Sequence, residues 1–318
     1  MKRLRKNIIT IIIILLFLAG AFIFSFPYVS DYFHTRAQSR VIETFQDALN
    51  SVDDQHLEEL IKKAKEYNEA LRSNPNRFRK SKEELAQYHT MLQLDKTNIE
   101  NKIIGTLEIK ELDMTLPIYL GTDDETLRIG IGHIEGSSLP VGGPGSHTVI
   151  TGHRGLHTAK LMTDIDRIKI GDVFTLNILN LRLHYKTDQI SIVLPDDFSN
   201  LTIYPDKDYA TLLTCTPIGV NTHRLLIRGT RIPDENISQK NIAKEEYQIT
   251  IWDYIILSLI FLSLLMLLIA ILMIIRKIIN ESRKEQQNAI SNSRKTQCRK
   301  QYSRCIKSKK PKRRIYRG

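Results

Sequence analysis

A cysteine, a histidine and an arginine in the middle of the chain are of the types that covalent acyl transfer uses. Cys215 ends a β-rich run, His153 directly follows another such run, and Arg224 opens a third run nine residues beyond the cysteine. A thiol needs a proton acceptor or a positive field to become a nucleophile, because its ordinary pKa is ~8.5. A histidine can act as its acid/base partner, and an arginine can stabilise an oxyanion.

Spacing alone leaves the assignment open. Cys215 is either a reactive thiol or a buried, inert one. A histidine is more often a structural or surface residue than a catalyst, and the partner of Cys215 could be any of the histidines beyond residue 100. Besides His153 these are His133, His147, His157, His184 and His223.

The elements that must position these residues are mostly short strands. Runs rich in β-formers are separated by Gly, Pro, Asn and Asp, a pattern typical of a barrel or sandwich. The predicted strands are Ile104–Ile109, Leu116–Leu120, Thr148–Thr151, Val173–Ile178, Leu181–Lys186, Ile190–Leu194, Tyr209–Thr214 and Leu225–Arg228.

Helical patterns precede the strands. Apolar residues recur at helical spacing over 36–72 with no Gly or Pro among them, which predicts one helix. Ser73-Asn74-Pro75-Asn76 breaks the pattern, because proline disfavours α geometry in the residue before it. A short amphipathic segment follows near Glu83–Leu94.

Two uncharged apolar runs bracket this region, at residues 7–26 and 254–275. Each is long enough to cross a bilayer as a helix. Basic residues lie before the first and after the second, so the positive-inside rule predicts two spans with both termini cytoplasmic and the middle extracellular. A cleaved signal peptide is the alternative for the first run, but its apolar stretch is longer than usual and no clear cleavage site follows.

The net charge of +11 is unevenly distributed along the 318 residues. Residues 1–6 hold four basic residues, 276–318 hold 16 basic and two acidic residues, and the middle is acidic. A nucleic-acid-binding domain would carry its basic patch on the folded surface, so none is expected here. The basic tail is expected to be disordered or to lie on anionic lipid headgroups.

Cysteine usage excludes a disulfide scaffold. Cys298 and Cys305 fall in the predicted cytoplasmic tail, which leaves Cys215 as the single extracellular cysteine with no intramolecular partner.

Several motifs together resemble the sortases, the cysteine transpeptidases of Gram-positive cell surfaces. Thr211-Leu212-Leu213-Thr214-Cys215, the upstream Thr151-Gly152-His153 and the downstream Arg224 carry the resemblance over about residues 101–232. Further matching stretches are Leu116–Tyr119, Gly132–Pro140 and Leu161–Ile168. The N-terminal helical extension and the C-terminal apolar helix resemble class C, the pilus-polymerising sortases.

The resemblance implies a mainly β fold, the eight-stranded sortase barrel, with an N-terminal helical extension and two flanking transmembrane helices. It implies that Cys215 is the nucleophile, His153 the general acid/base and Arg224 the oxyanion or substrate-positioning residue, with Arg228 and Arg231 as alternatives for that last role. The expected partners are pilins or surface proteins with LPXTG-like sorting signals, and the lipid bilayer. No cofactor and no metal are required.

The implied organisation runs from a cytoplasmic N-terminus to a cytoplasmic tail. The predicted segments are 1–6 (cytoplasmic), 7–26 (first span), 27–100 (helical extension), 101–232 (catalytic barrel), 233–253 (linker), 254–275 (second span) and 276–318 (basic tail).

Two further features of the sequence each have two possible interpretations. Thr214 could offer its hydroxyl to a substrate carbonyl or pack at the strand end. Residues 73–79 stand where class C sortases carry a lid with an Asp-Pro-aromatic motif, but Asn74 replaces the Asp and the aromatic is displaced to Phe78, beyond Pro75. We expect either a weakened lid or an ordinary turn.

Four functions remain open at this point. The first is pilin polymerisation, and the second is anchoring of surface proteins to a peptidoglycan precursor by a housekeeping-type sortase. The third is a cysteine hydrolase that releases its product to water. The fourth is a non-enzymatic two-pass scaffold in which Cys215 is unreactive.

Overall fold

The computed structural model describes residues 2–74, 76–78, 81–92, 102–156, 158–233 and 251–308. The chain forms two compact units, one of residues 15–240 and the other of residues 1–14 with 241–318. The first unit holds the β-rich region and the helices before it. The second holds the C-terminal helix.

Eight strands close into a barrel in the order β1-β2-β3-β4-β7-β8-β6-β5. This confirms the mainly β fold class and the eight-stranded barrel expected from the sequence. Two of the pairings, β2 with β3 and β4 with β7, are parallel, and the others are antiparallel. The strands are β1 (Ile103–Ile109), β2 (Met114–Leu120), β3 (Ile131–His133), β4 (Ser146–Thr151), β5 (Val173–Ile178), β6 (Leu181–Val193), β7 (Asp208–Thr216) and β8 (His223–Ile232).

Two differences from the predicted strands have local causes. The runs Leu181–Lys186 and Ile190–Leu194 belong to one strand, β6, because the polar break between them is absorbed as an irregularity in the pairing with β8 at Thr187/Gln189. β3 was not predicted, because three residues including Gly132 are too few to show an alternating pattern.

Helices α1 (Lys2–Asn50) and α2 (Asp54–Arg72) precede the barrel, with the short helix α3 (Lys82–Tyr88) after them. The prediction of one helix over 36–72 is wrong at residues 51–53, where α1 ends and Asp53 takes an extended backbone as the N-cap of α2. Ser51 and Asp53 are short polar residues that compete for backbone hydrogen bonds, so a helix can end there without Gly or Pro.

The apolar faces of α1 and α2 join the barrel core. Phe45 of α1 and Leu57, Leu60, Ile61 and Ala64 of α2 are buried in one cluster with the inward residues of the strands. The helical spacing read from the sequence therefore marks a face that packs on the barrel. One further helix, α4 (Asp124–Ile129), lies between β2 and β3.

Within the described residues, Ile14–Asn50 is the one helical segment found to be long and apolar enough to cross a membrane. It overlaps the predicted first span, and α1 continues through Pro27 without a break between that span and the extension. The predicted second span lies in α5 (Ile251–Ser308), several of whose side chains lie outside the described residues, so that crossing stays a prediction. Most of the predicted linker also lies outside them.

Of the two alternatives expected for the tail from residue 276, disorder does not hold as far as Ser308, because α5 continues to that residue, and contact with lipid headgroups stays a prediction. Residues 276–308 contain no Gly or Pro and are rich in Arg, Lys and Gln, which have high helix propensity.

Candidate active site

The barrel sets side by side the three strands that carry or precede the candidate residues, in the order β4, β7 and β8. Cys215 on β7 lies opposite Arg224 on β8 in the antiparallel register. On the other side of β7, Thr151 of β4 pairs with Leu213 in the parallel register, and the Gly152 N–H donates to the Leu213 carbonyl at 3.3 Å. β4 ends at Thr151, and His153 follows that end by two residues, just as Cys215 follows Leu213 by two residues. Neighbouring strands lie about 4.8 Å apart, so Arg224 is close to Cys215 on one side, and the segment that carries His153 begins at the end of the strand on the other side.

Alternation along β7 decides which way the side chains face. Ala210, Leu212 and Thr214 are buried towards the barrel core, whereas Leu213 and Cys215 lie on the outer face. Cys215 is a free, half-buried thiol. A nucleophile on the outer face of a closed barrel is accessible to a polypeptide substrate.

The Thr214 side chain makes a contact within the protein rather than the predicted contact with a substrate carbonyl. Its side chain is buried, and its hydroxyl donates to the Gly152 carbonyl at 2.8 Å. This bond joins the residue before Cys215 to the residue before His153. The sequence left open a packing role at the strand end, and the structure favours that alternative.

The loop after His153 is held by contacts between its own residues. The Met162 N–H donates to the His153 carbonyl at 3.2 Å, and Arg154 donates to the Thr163 carbonyl and forms an ion pair with Asp166. The Arg154 side chain is only 6% exposed. These contacts fix the backbone from which the His153 side chain projects.

Arg224 is the cross-strand neighbour of Cys215, whereas the two alternative arginines contact other groups. Within the described residues, the Arg224 guanidinium donates to the carbonyls of Asn221 and His223 and has no carboxylate partner. Arg228 forms a bidentate pair with Asp188 and lies over the Tyr209 ring. Arg231 lies over the Tyr185 ring and donates to the Arg182 carbonyl.

Most of the other candidate histidines are held by structural partners. His133 is buried and contacts the Tyr88 hydroxyl, and His184 is buried against Thr175. His223 contacts the neighbouring Thr222 hydroxyl. His157 lies outside the described residues.

His147 is also buried, between the Thr202 carbonyl and the Thr211 hydroxyl. Burial lowers its pKa to about 4, and the positive charges of Arg77 and Arg228 act in the same direction. His147 is therefore neutral near pH 7 and belongs to the barrel rather than to the acid/base chemistry.

Phe78, in the lid segment predicted at 73–79, lies on the outer face of the barrel near the candidate nucleophile. Phe78 packs against a small apolar cluster that includes Val149, Leu201 and Leu226. Leu226 pairs with Leu213, one outward position along the strands from the Cys215–Arg224 pair. Phe78 thus lies over the sheet next to the candidate site.

The contacts that hold this segment were not foreseen from the sequence. The Phe78 ring stacks on Phe198 with centroids 4.9 Å apart, and the Arg77 guanidinium lies 4.5 Å from the Phe78 ring centroid. Arg77 also donates to the carbonyls of Gly136 and Leu201. The only signal of these contacts in the sequence was the pair Arg77-Phe78, a cation next to an aromatic residue in a polar stretch.

Asn74 does not reach Arg224 in this arrangement. Its side-chain oxygen accepts from the Asn76 N–H at 2.9 Å and stabilises its own turn. Pro75 lies outside the described residues. The segment is therefore held at Arg77 and Phe78, away from the position where an Asp was expected.

No group of three or more His, Cys, Asp or Glu residues that could hold a metal ion is found in the described part of the chain.

Comparison with known proteins identifies the barrel. The family model of the sortase domain matches residues 107–232. The structure is similar to sortase C1 from Streptococcus agalactiae, with 42% identity and a TM-score of 0.58, covering 61% of this chain and 99% of that one. It is also similar to sortase C of Streptococcus pneumoniae, with 42% identity and a TM-score of 0.54, covering 61% of this chain and 97% of that one.

Among curated proteins, Sortase D of Bacillus subtilis is 30% identical over 131 residues. That match covers 40% of this chain and spans 63% of the length of the relative.

Proposed function

The chain belongs to the sortase family, and we propose that it is a membrane-anchored cysteine transpeptidase that joins pilin subunits. The observation that supports the proposal is the barrel register, which pairs Cys215 with Arg224 and pairs Thr151, two residues before His153, with Leu213, two residues before Cys215. The class C likeness supports the substrate, since the sortase C of S. pneumoniae is described with pilin substrate specificity.

The proposed reaction has two halves. The Cys215 thiolate attacks the carbonyl carbon of the Thr–Gly bond in an LPXTG-like sorting signal. A C–S bond forms, the C–N bond breaks, and the His153 imidazolium donates its proton to the leaving amine. A lysine amine of another pilin then attacks the thioester, the C–S bond breaks, and the proton lost by the amine returns to His153. Arg224 stabilises the negative oxygen of each tetrahedral intermediate or orients the substrate.

Membrane anchoring is part of the proposal. Large apolar side chains of α1 are strongly exposed, including Phe17, Phe22 and Phe24 at 71–74%. Exposed apolar surface of this extent is typical of contact with lipid. The exposed Phe261 and Leu264 of α5 support the second span in the same way. The orientation with both termini cytoplasmic rests on the basic residues at the two ends.

A lid role for residues 73–79 is the regulatory part of the proposal. Arg77 and Phe78 hold the segment over the sheet beside Cys215. Since Asn74 cannot form the ion pair with Arg224 that an Asp could, we expect weaker autoinhibition than in class C members that have the Asp. Deletion of residues 73–79 should raise the transpeptidation rate, and an unchanged rate would count against a lid.

The function is tested in the host by replacing Cys215 with Ala on the chromosome, with Cys298→Ala as the matched control. Cell-wall extracts are run on a denaturing gel and probed for surface proteins. Collapse of a detergent-resistant high-mass ladder to monomer in the Cys215 variant alone supports pilin polymerisation.

The other outcomes favour the alternatives. A ladder that persists while a surface protein is shed into the medium favours anchoring to a peptidoglycan precursor. No change in either, together with a Cys215 that a thiol reagent alkylates no faster than an ordinary cysteine, favours the scaffold.

A further inference from the structure

The helix that carries the predicted membrane anchor makes two polar contacts with the loop that follows His153. The Ser30 hydroxyl donates to the Thr158 carbonyl at 2.9 Å, and the Asp31 carboxylate accepts from the Lys160 N–H at 2.7 Å. Ser30 and Asp31 lie on α1, 128 and 129 residues away along the chain from these partners. The hydrogen bond to Asp31 is charge-assisted, which makes it one of the stronger kinds.

Two residues beyond the contact at Lys160, the loop binds the backbone of His153. Leu161 follows Lys160 and has a φ of 36°, a left-handed conformation that residues other than glycine rarely adopt. Met162 comes next, and its N–H donates to the His153 carbonyl. Such strain persists only where the surroundings hold the residue on both sides. Asp31 holds the residue before Leu161, and His153 holds the residue after it.

We propose that Asp31 is a positioning residue, which acts through the Lys160–Met162 segment to hold the backbone of His153 beside Cys215. The inference rests on the proposed role of His153 as general acid/base. It adds that the anchor helix is part of the frame that aligns the catalytic histidine.

The placement of Asp31 has a consequence for the orientation of the site. Asp31 is five residues beyond Phe26, the last residue of the predicted first span, and α1 is continuous between them. At ~1.5 Å of rise per residue, the contact lies about 7 Å along the helix from the end of that span. The loop of His153 is thereby held close to the membrane surface.

The test uses the full chain in detergent micelles and a fluorogenic peptide that contains an LPXTG-like signal. Asp31→Ala should lower kcat roughly tenfold and leave KM within about twofold, since a small misplacement of a catalytic group slows chemistry more than it weakens binding. Asp31→Asn keeps the side-chain oxygen that accepts from Lys160 and should recover kcat to within about threefold of the unmodified protein. Asp47→Ala, an exposed aspartate on the same helix, is the matched control and should match the unmodified protein.

Hydrogen exchange of residues 154–163 is measured in the same proteins, so the test does not depend on peptide cleavage. Faster exchange in that segment in Asp31→Ala, but not in Asp31→Asn or Asp47→Ala, is the expected result. Unchanged exchange and unchanged kcat in Asp31→Ala would overturn the proposal. So would an Asn variant as impaired as the Ala variant, or a lower melting temperature with faster exchange throughout the barrel.

His153→Ala separates this proposal from the proposed function. If the unmodified protein cleaves the peptide no faster than His153→Ala, the proposed function fails, and the exchange result still decides whether Asp31 holds the loop. If His153 is essential and Asp31→Ala is as active as the unmodified protein, the positioning role alone fails.

Discussion

Replacing Phe78 by Ala should open the face of the barrel next to Cys215. The ring stacks on Phe198 at 4.9 Å, lies 4.5 Å from the Arg77 guanidinium and packs on the apolar cluster of the outer face. A stacked aromatic pair and an exposed cation–π contact each contribute about 1 kcal/mol, and partial burial of a Phe contributes about 1 kcal/mol more. Ordering of the side chains offsets about 1 kcal/mol of this sum.

The net effect is about 2 kcal/mol in favour of the closed segment, which corresponds to about 30-fold in the ratio of closed to open forms. Where the closed form predominates, only the small open fraction binds substrate. Phe78→Ala should therefore raise kcat/KM for a sorting-signal peptide by up to about 30-fold, mainly through a lower KM, because the chemistry at Cys215 is untouched. Initial rates over a range of peptide concentrations separate kcat from KM.

Two variants make this result specific. Phe198→Ala removes the other ring of the stack and should have a similar effect, and the double variant should add little, because both substitutions remove the same contact. Tyr204→Ala removes an exposed aromatic of the same β6–β7 connection, whose ring contacts Tyr209, and should leave kcat/KM unchanged. The lid reasoning is refuted if Phe78→Ala is correctly folded and its kcat/KM is equal to or below that of the unmodified protein.

The remaining predictions concern single positions around the site. Gly136→Ala should raise kcat/KM as Phe78→Ala does, because an added Cβ would lie 2.2 Å from the Arg77 carbonyl oxygen and displace the lid segment; since Gly136 has a φ of 91° that strains alanine, the same peptide assay is run on variant protein shown to be folded. Arg224→Lys should lower kcat by roughly 100-fold in that assay, since one charged donor cannot replace the guanidinium fork at the oxyanion. Thr214→Val should lower the free energy of unfolding by about 1 kcal/mol, measured by denaturant titration, because the Gly152 carbonyl loses its donor. Stability should fall from about pH 6.5 to pH 4, because His147 has a folded pKa of about 4 and the unfolded chain binds a proton that the folded protein excludes; His147→Gln should flatten melting temperature against pH in this window.

The sequence alone indicated the class of chemistry and predicted the main elements. The residue types of Cys215, His153 and Arg224 limited the reaction to a few classes, and the motifs around them resembled one family. Seven of the eight strands were predicted in whole or in part, because alternating β-rich runs are local features. The helical face of residues 41–64 was also local, and its apolar spacing marks the surface that packs on the barrel.

Features that depend on only one or two residues could not be predicted from the sequence. β3 is too short to show a period, and the end of α1 at residue 50 has no Gly or Pro to mark it. The hydrogen bond of Thr214 to Gly152 could not be chosen over a substrate contact, because the choice depends on which face of β7 looks into the core.

Only the tertiary structure decided which residues meet. His153 and Cys215 are far apart in the chain, and the segments that lead to them become neighbours because β4 and β7 pair in parallel in one register. Phe78 over the sheet and Asp31 against the His153 loop are likewise contacts between distant segments. Their formation depends on closure of the barrel and on the packing of α1 and α2 against it. A pattern of neighbouring residues carries no information about such contacts, because they join surfaces that exist only after the chain has folded.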